Sequence, residues 1–161
     1  MTYEKIEAGQ TTASGPSPSI LIVEDDADLR NVLTEIVATE TPYSVFSACN
    51  AVDAWRQVDT AHPALLILDY QLPGMNGLQL YDRLHATRGL DPSQVVFISA
   101  NLPYRELGFR QLRGIAKPFE VGGFLSLVEH MVDEQSSSWL RELPASNPGK
   151  GPFVPPAWLV S

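Results

Sequence analysis

Short, uninterrupted apolar runs separated by helical periodicity constrain the fold of this 161-residue sequence more than any other feature. A run of about four apolar residues is typical of a strand buried on both faces, as in a parallel sheet covered by helices. Such runs occur at residues 20–23, 65–68 and 95–98, and a weaker one at 115–116. Residues 43–48 alternate more, which favours an edge strand.

Amphipathic segments with apolar residues at i, i+3, i+4 and i+7 lie between these runs and predict helices. The fourth of them, at about 104–113, is short and poorly patterned, with Gly108 inside it. Five strands alternating with five helices form a βα repeat. Since crossovers between parallel strands are right-handed, we predict an α/β fold with a doubly wound, five-stranded parallel sheet.

One domain is predicted at residues 19–134, between a flexible N-terminal tail (1–18) and a Pro-rich C-terminal tail (135–161). Three serines at 136–138 indicate a flexible break, followed by about one helical turn at 139–143. The end of the tail combines five prolines with Phe153, Trp158 and Leu159. This composition is typical of disorder, but these side chains would also suit docking onto the domain, a second copy or a partner.

Composition and charge narrow the function classes. The formal net charge of -8 and the pI near 4.7 argue against a nucleic-acid surface, which would need clustered Lys and Arg. Cys49 is the only cysteine, so no internal disulfide can form, and we expect it to be a small buried apolar residue. No run resembles a signal peptide or a membrane span, which predicts a cytoplasmic protein.

Polar residues follow four of the predicted strands at the point where each one ends. Glu24, Asp25 and Asp26 follow the first strand, and the later strands are followed by Asp69, Ser99 and Lys117. Ligands of open α/β sheets bind at these carboxyl ends, so we expect the side chains to converge. Each residue alone would suit a helix cap or a solvated charge, but the set as a whole is hard to explain in this way.

A charge count indicates which ligand such a site would hold. Glu24, Asp25 and Asp69 contribute about -3 and Lys117 about +1, which leaves a divalent cation to balance the site. Oxygen ligands favour Mg²⁺, or Mn²⁺, over Zn²⁺. A cation and a lysine around one carboxylate would stabilise an incoming phosphoryl group, with Asp69 as the nucleophile.

Four motifs resemble the receiver domain of two-component response regulators, over about residues 20–133. They are Ile-Leu-Ile-Val-Glu-Asp-Asp, Leu-Leu-Ile-Leu-Asp-Tyr-Gln-Leu-Pro-Gly-Met-Asn-Gly, Val-Phe-Ile-Ser-Ala, and Ala-Lys-Pro-Phe. The resemblance implies a flavodoxin-like receiver fold with strand order 2-1-3-4-5. It also implies that Asp69 accepts phosphate from a sensor histidine kinase or a phosphotransfer protein.

The resemblance also assigns a role to each site residue. Asp25 would bind Mg²⁺ directly, Glu24 through water and Gln71 through its backbone carbonyl, while Asp26 would more simply cap a helix. Ser99 would bond a phosphoryl oxygen. Lys117 would pair with the phosphate, and the peptide bond between Lys117 and Pro118 would be cis. Gln71 and Asn101 occupy positions that tune the lifetime of the phosphoaspartate, although both would also suit ordinary loop residues.

The sequence departs from the family pattern on the side of signal output. Gly114 stands where the family usually has a mobile aromatic ring, so that ring-based output is absent. The segment between Ser99 and Lys117 is also short by roughly one helical turn, which predicts a truncated fourth helix. Tyr104 or Phe109 would be substitutes for the ring, although packing is the simpler role for both.

Fewer than thirty residues follow the predicted domain, which leads us to expect a stand-alone response regulator rather than a turnover enzyme. It would signal by protein contacts or relay phosphate, and a homodimer is left open. A second hypothesis is a pseudo-receiver scaffold that is never phosphorylated. A third is a Mg²⁺-dependent phosphohydrolase, which is disfavoured because Gln71 replaces the second acid that haloacid-dehalogenase-type enzymes place there.

Overall fold

Five parallel strands form one sheet in a computed structural model that describes residues 17–141, with side chains as far as residue 135. In chain order the strands are β1 (Ser19–Val23), β2 (Ser44–Ala48), β3 (Leu65–Asp69), β4 (Val95–Ser99) and β5 (Arg113–Ala116). Their spatial order is β2-β1-β3-β4-β5, so the predicted fold class and the order 2-1-3-4-5 are confirmed. β2 lies at one edge of the sheet, as its alternating sequence predicts.

Helices connect the strands on both faces of the sheet. They are α1 (Ala27–Glu40), α2 (Ala51–Ala61), α3 (Gly77–Arg88), α4 (Tyr104–Phe109) and α5 (Val121–Arg141), and a 3-10 turn (Pro92–Gln94) precedes β4. The first three begin at side-chain caps that satisfy free backbone amides: Asp26, Asn50 and Asn76. As predicted, α4 is truncated, with six residues.

Each face of the sheet has its own apolar core, because successive strand residues point to opposite faces. One core packs β1, β3 and β4 against α2, α3 and α4 through side chains such as Leu21, Leu66, Leu80 and Phe97. The other packs the same strands against α1 and α5 through side chains such as Ile22, Leu33, Ile67 and Phe124. The central strands are buried on both sides, which explains their unbroken apolar runs.

The register of the strands aligns their carboxyl ends. Val23 lies opposite both Ala48 and Leu68, and Asp69 lies opposite Ile98. On the far side of β4, Ser99 lies opposite Ala116. The residues that follow β1, β3, β4 and β5 therefore meet at a single edge of the sheet.

Two sequence expectations were wrong. Cys49 is exposed rather than buried, because it follows the end of edge strand β2 and directly precedes the cap Asn50. The break expected at residues 136–138 is absent, since α5 continues through these serines to Arg141. The proposed tail boundary at residue 135 thus falls inside a helix.

Most of both predicted tails, residues 1–16 and 142–161, lies outside the described residues. Within the part of the chain that the structure describes, every helix is too short or too polar to cross a bilayer.

Candidate functional site

The acidic loop after β1 contributes Glu24 and Asp25. The Glu24 side chain is only 1% exposed, and its Oε2 accepts a hydrogen bond of 3.1 Å from the Asp26 amide. Asp26 itself accepts the Leu29 amide at 3.0 Å and so caps α1, as predicted, whereas Asp25 is exposed. The loop thus presents one buried and one open carboxylate.

Asp69 ends β3 at the centre of this edge, and its side chain is 5% exposed. Its Oδ1 accepts a hydrogen bond of 3.0 Å from the Gln71 amide, and its Oδ2 lies 3.7 Å from Lys117 Nζ. Gln71 therefore contacts Asp69 through its backbone, while its own side chain is exposed.

Lys117 links the two buried carboxylates. Its Nζ donates a hydrogen bond of 3.0 Å to Glu24 Oε1 in addition to its contact with Asp69. The Lys117 amide donates to the Ser99 carbonyl at 2.9 Å, and the Lys117–Pro118 bond is cis, as the resemblance implied. The ammonium is thereby placed between Glu24 and Asp69.

Ser99 ends β4, which is the strand next to Asp69, and is fully buried. Its Oγ accepts a hydrogen bond of 3.1 Å from the Asn101 amide and lies 3.3 Å from the Asn101 carbonyl oxygen. Asn101 takes part through its backbone, and the residue is exposed at the rim of the site.

The pKa of Asp69 is raised from 3.8 to about 7. Burial is the main cause of the raised pKa, and the hydrogen bond with Glu24 and the charge of Glu24 raise it further. The hydrogen bond from the Gln71 amide and the charge of Lys117 lower it in part. The folded protein therefore keeps a proton on Asp69 at pH values at which a free aspartate has lost it. A further cation at the site would favour the fully ionised form.

Glu24, Asp25 and Asp69 each offer an oxygen, and these oxygens all lie within 4.8 Å of one another. The ligand oxygens of Mg²⁺ lie about 2.0–2.1 Å from the ion and therefore roughly 3–4 Å apart. The acidic cluster fits a hard divalent cation in spacing, charge and ligand type. Gln71 was predicted to bind the ion through its backbone carbonyl. In the structure the backbone amide of the same residue donates a hydrogen bond to Asp69.

Two residues that shape the site were missed by the sequence interpretation. Arg30 donates from Nη1 to the carbonyl oxygens of Glu24, at 2.8 Å, and Asp25, at 3.4 Å, and so holds the acidic loop against α1. Its position one helical turn after the cap Asp26 is the only sequence signal for this contact. Gly77 is required because a Cβ there would lie 2.5 Å from the Asp69 carbonyl oxygen.

The space around Gly114 is filled by aliphatic side chains. A Cβ at this position would lie 3.0–3.1 Å from the methyl groups of Leu102 and 3.1 Å from Leu107. Tyr104 and Phe109, the aromatic residues considered as substitutes, are 68% and 80% exposed on α4. Neither therefore occupies the place of the missing ring.

Comparison with known proteins gives a family match. The family model of the response regulator receiver domain matches residues 20–122 of this chain. The chain is 33% identical over 110 residues to sporulation initiation phosphotransferase F of Bacillus subtilis, which covers 63% of this chain and 83% of that protein. It is 32% identical over 114 residues to a protein-glutamate methylesterase/protein-glutamine glutaminase of Paramagnetospirillum magneticum, covering 70% of this chain but only 30% of that longer protein.

Solved structures share the fold of this chain. The N-terminal domain of an uncharacterized Wolinella succinogenes protein is 28% identical, with a TM-score of 0.67, over 76% of this chain and 98% of that one. A CheY-like receiver domain protein from Methanospirillum hungatei shares the fold at 23% identity, with a TM-score of 0.66 and the same coverage.

Proposed function

Because this chain belongs to the family of response regulator receiver domains, we propose that it accepts a phosphoryl group on Asp69 from a histidine kinase or a phosphotransfer protein. The observation that carries the proposal is the convergence of Glu24, Asp25 and Asp69 with Lys117 at one sheet edge. The relative named as a sporulation initiation phosphotransferase supports it.

In the proposed reaction, an Asp69 oxygen attacks phosphorus while the bond from phosphorus to the donor nitrogen or oxygen breaks. An acyl phosphate forms on Asp69, and the donor leaves with the electron pair of the broken bond. Asp25, Asp69 and the Gln71 carbonyl would hold Mg²⁺ directly, and Glu24 would hold it through water. The ion would neutralise the charge of the phosphoryl oxygens. Mn²⁺ would satisfy the same ligands.

Lys117 and Ser99 would act on the phosphoryl group itself. In the described state Lys117 Nζ lies between Glu24 and Asp69, so an arriving phosphoryl oxygen can replace Glu24 as its partner. The Ser99 hydroxyl is bonded only to its neighbour Asn101 among the described residues, so it is free to turn toward that oxygen. The ammonium of Lys117 already lies beside Asp69, and positioning is the main requirement of phosphoryl transfer.

The exposed side chains of Gln71 and Asn101 lie at the rim of the site. We propose that they govern the access of water to the acyl phosphate and hence its lifetime. The phosphorylated domain would signal through contacts with another protein, or pass the phosphoryl group onward.

Incubation with acetyl phosphate and Mg²⁺, followed by intact mass measurement, tests the proposal. We expect the mass of one phosphoryl group on the wild type and none on the variant Asp69→Ala. Exchange of Mg²⁺ for EDTA should abolish the addition. An unmodified wild type, or equal modification of the variant, would leave a scaffold without phosphorylation as the better account.

A further inference from the structure

An apolar groove lies between α2 and α3, on the face of the sheet opposite α1 and α5. Ala51, Val52 and Trp55 of α2 face Met75 and Leu80 across a volume of ≈ 230 Å³. The surface that lines it is almost wholly apolar, although Arg56 and Arg83 also border the groove, and Val52 is 68% exposed. Burying such a surface is favourable, so the groove is suited to an apolar ligand segment.

Arg88 fixes one wall of this α2–α3 groove. Its guanidinium lies 4.6 Å from the centroid of the Trp55 ring and forms two hydrogen bonds with Asp59, of 2.7 and 3.1 Å. The planar cation thus stacks on the indole while its fork is held by the carboxylate. A preformed wall reduces the ordering cost of binding.

The sequence of this chain contains a segment that matches the groove in chemistry. Residues 152–159 read Pro-Phe-Val-Pro-Pro-Ala-Trp-Leu, and Pro152 and Pro155 have the Pro-x-x-Pro spacing. Such segments favour the polyproline II conformation, and aromatic-lined grooves recognise them because little entropy is lost on binding. The segment is also uncharged, so none of its own side chains is ionised and costly to bury.

The end of α5 lies within reach of the groove. Gln135 Nε2 donates to the carbonyl oxygen and Oγ of Ser93, both at 2.9 Å, and Ser93 lies in the 3-10 turn that connects α3 to β4. Ten residues separate Arg141 from Pro152, and the eleven Cα–Cα steps between the two can span about 36 Å when extended. The twelve residues of α3 measure only about 18 Å.

We propose that residues 152–159 dock into the α2–α3 groove of the same chain. This inference goes beyond the phosphoacceptor role and does not depend on it. Met75 of the groove lies in the loop that follows Asp69, so the docked segment contacts the connection between β3 and α3. A partner protein that uses the groove must then displace the segment.

Paramagnetic relaxation in the full chain tests the proposal. Cys49, the exposed single cysteine, is replaced in Cys49→Ser, and a spin label is attached through Ala157→Cys. We expect the amide signals of residues 51–56 and 75–83 to lose intensity and those of α1 to keep theirs. Equal loss on both faces of the sheet, or no loss on either, would overturn the proposal.

Two matched variants and one mixing experiment complete the test. Val52→Glu places a charge in the groove and should restore the signals. The control Val32→Glu changes a valine on α1 that is also exposed, at 51% against 68% for Val52, and should not restore them. Signal loss that persists in Val52→Glu contradicts docking in the groove. In the mixing experiment, a spin-labelled chain is added to an isotope-labelled chain that carries no spin label. Signal loss in the isotope-labelled chain would assign the groove to a second copy and refute docking within one chain.

Discussion

Replacing Asp69 by asparagine should stabilise the metal-free protein, and more so as the pH rises. Asp69 is buried beside Glu24, and its pKa is raised from 3.8 to about 7. Between these two values the unfolded chain has released the proton that the folded chain still binds, so the free energy of unfolding falls with increasing pH. Asparagine has nearly the same shape and carries no charge at any pH.

The magnitude follows from the same pKa difference. A tenfold change in proton affinity corresponds to about 1.4 kcal/mol. A rise of the Asp69 pKa from 3.8 to about 7 therefore costs the folded protein on the order of 4 kcal/mol at a pH at which Asp69 is ionised in both the folded and the unfolded chain. At about pH 5 less than half of this cost, on the order of 2 kcal/mol, is present. The advantage of Asp69→Asn should therefore grow by about 2–3 kcal/mol between about pH 5 and pH 8.

Urea unfolding followed by circular dichroism in EDTA measures this difference. A matched control is Asp59→Asn, because the pKa of Asp59 is lowered by its hydrogen bonds with Arg88, which is the opposite perturbation. The stabilising effect of Asp59 is complete above its usual pKa, so this variant should keep a constant disadvantage over the same pH range. Added Mg²⁺ should reduce the pH dependence of the wild type and leave Asp69→Asn nearly unchanged.

A free-energy difference between wild type and Asp69→Asn that is the same at both pH values would refute the reasoning. So would a wild type that is the more stable protein at about pH 8 without metal. Either result would mean that Asp69 is ionised in the folded protein without cost, and hence that Lys117 alone compensates the two carboxylates.

Three further substitutions test separate contacts of the site. Gly77→Ala should lower the free energy of unfolding by about 1–3 kcal/mol, because its Cβ would lie 2.5 Å from the Asp69 carbonyl oxygen; Gly108→Ala, with no atom within 4 Å, should be neutral or stabilising in the same urea titration. Arg30→Met should weaken Mg²⁺ binding roughly tenfold by calorimetry, since Arg30 orients the acidic loop; unchanged affinity would restrict it to a packing role. Ser99→Ala should slow phosphorylation by acetyl phosphate at least about tenfold without altering Mg²⁺ affinity; an unchanged rate would remove the hydroxyl from the reaction.

The sheet and the acidic edge were predictable because both depend on local sequence. Buried parallel strands require unbroken apolar runs, and each run is followed at once by the residue that belongs to the site, as Leu68 is by Asp69. The right-handed crossover rule then leaves few topologies, all with these residues at one edge. The distances between Lys117, Glu24 and Asp69 follow from that register.

The features that were missed or wrong are not encoded in short sequence patterns. Cys49 is exposed because no residue between 17 and 135 covers it at the end of the edge strand, although cysteine is among the most buried residue types. The serines at 136–138 have only modest helix propensity, and α5 nonetheless continues through them. Gly77 is set by its approach to the backbone of β3, which no local pattern encodes.

The route from the proposed phosphorylation site to the surface is the part of the molecule in which this chain departs from the family pattern. The space beside Gly114 is taken by Leu102 and Leu107, both buried, so no ring can turn into it without displacing them. Leu102 directly follows Asn101, whose amide and carbonyl hold the Ser99 hydroxyl. A hydroxyl that turns toward a phosphoryl oxygen must leave these partners, which frees the backbone next to Leu102. Because α4 begins two residues after Leu102, this side chain lies along the chain between Ser99 and α4.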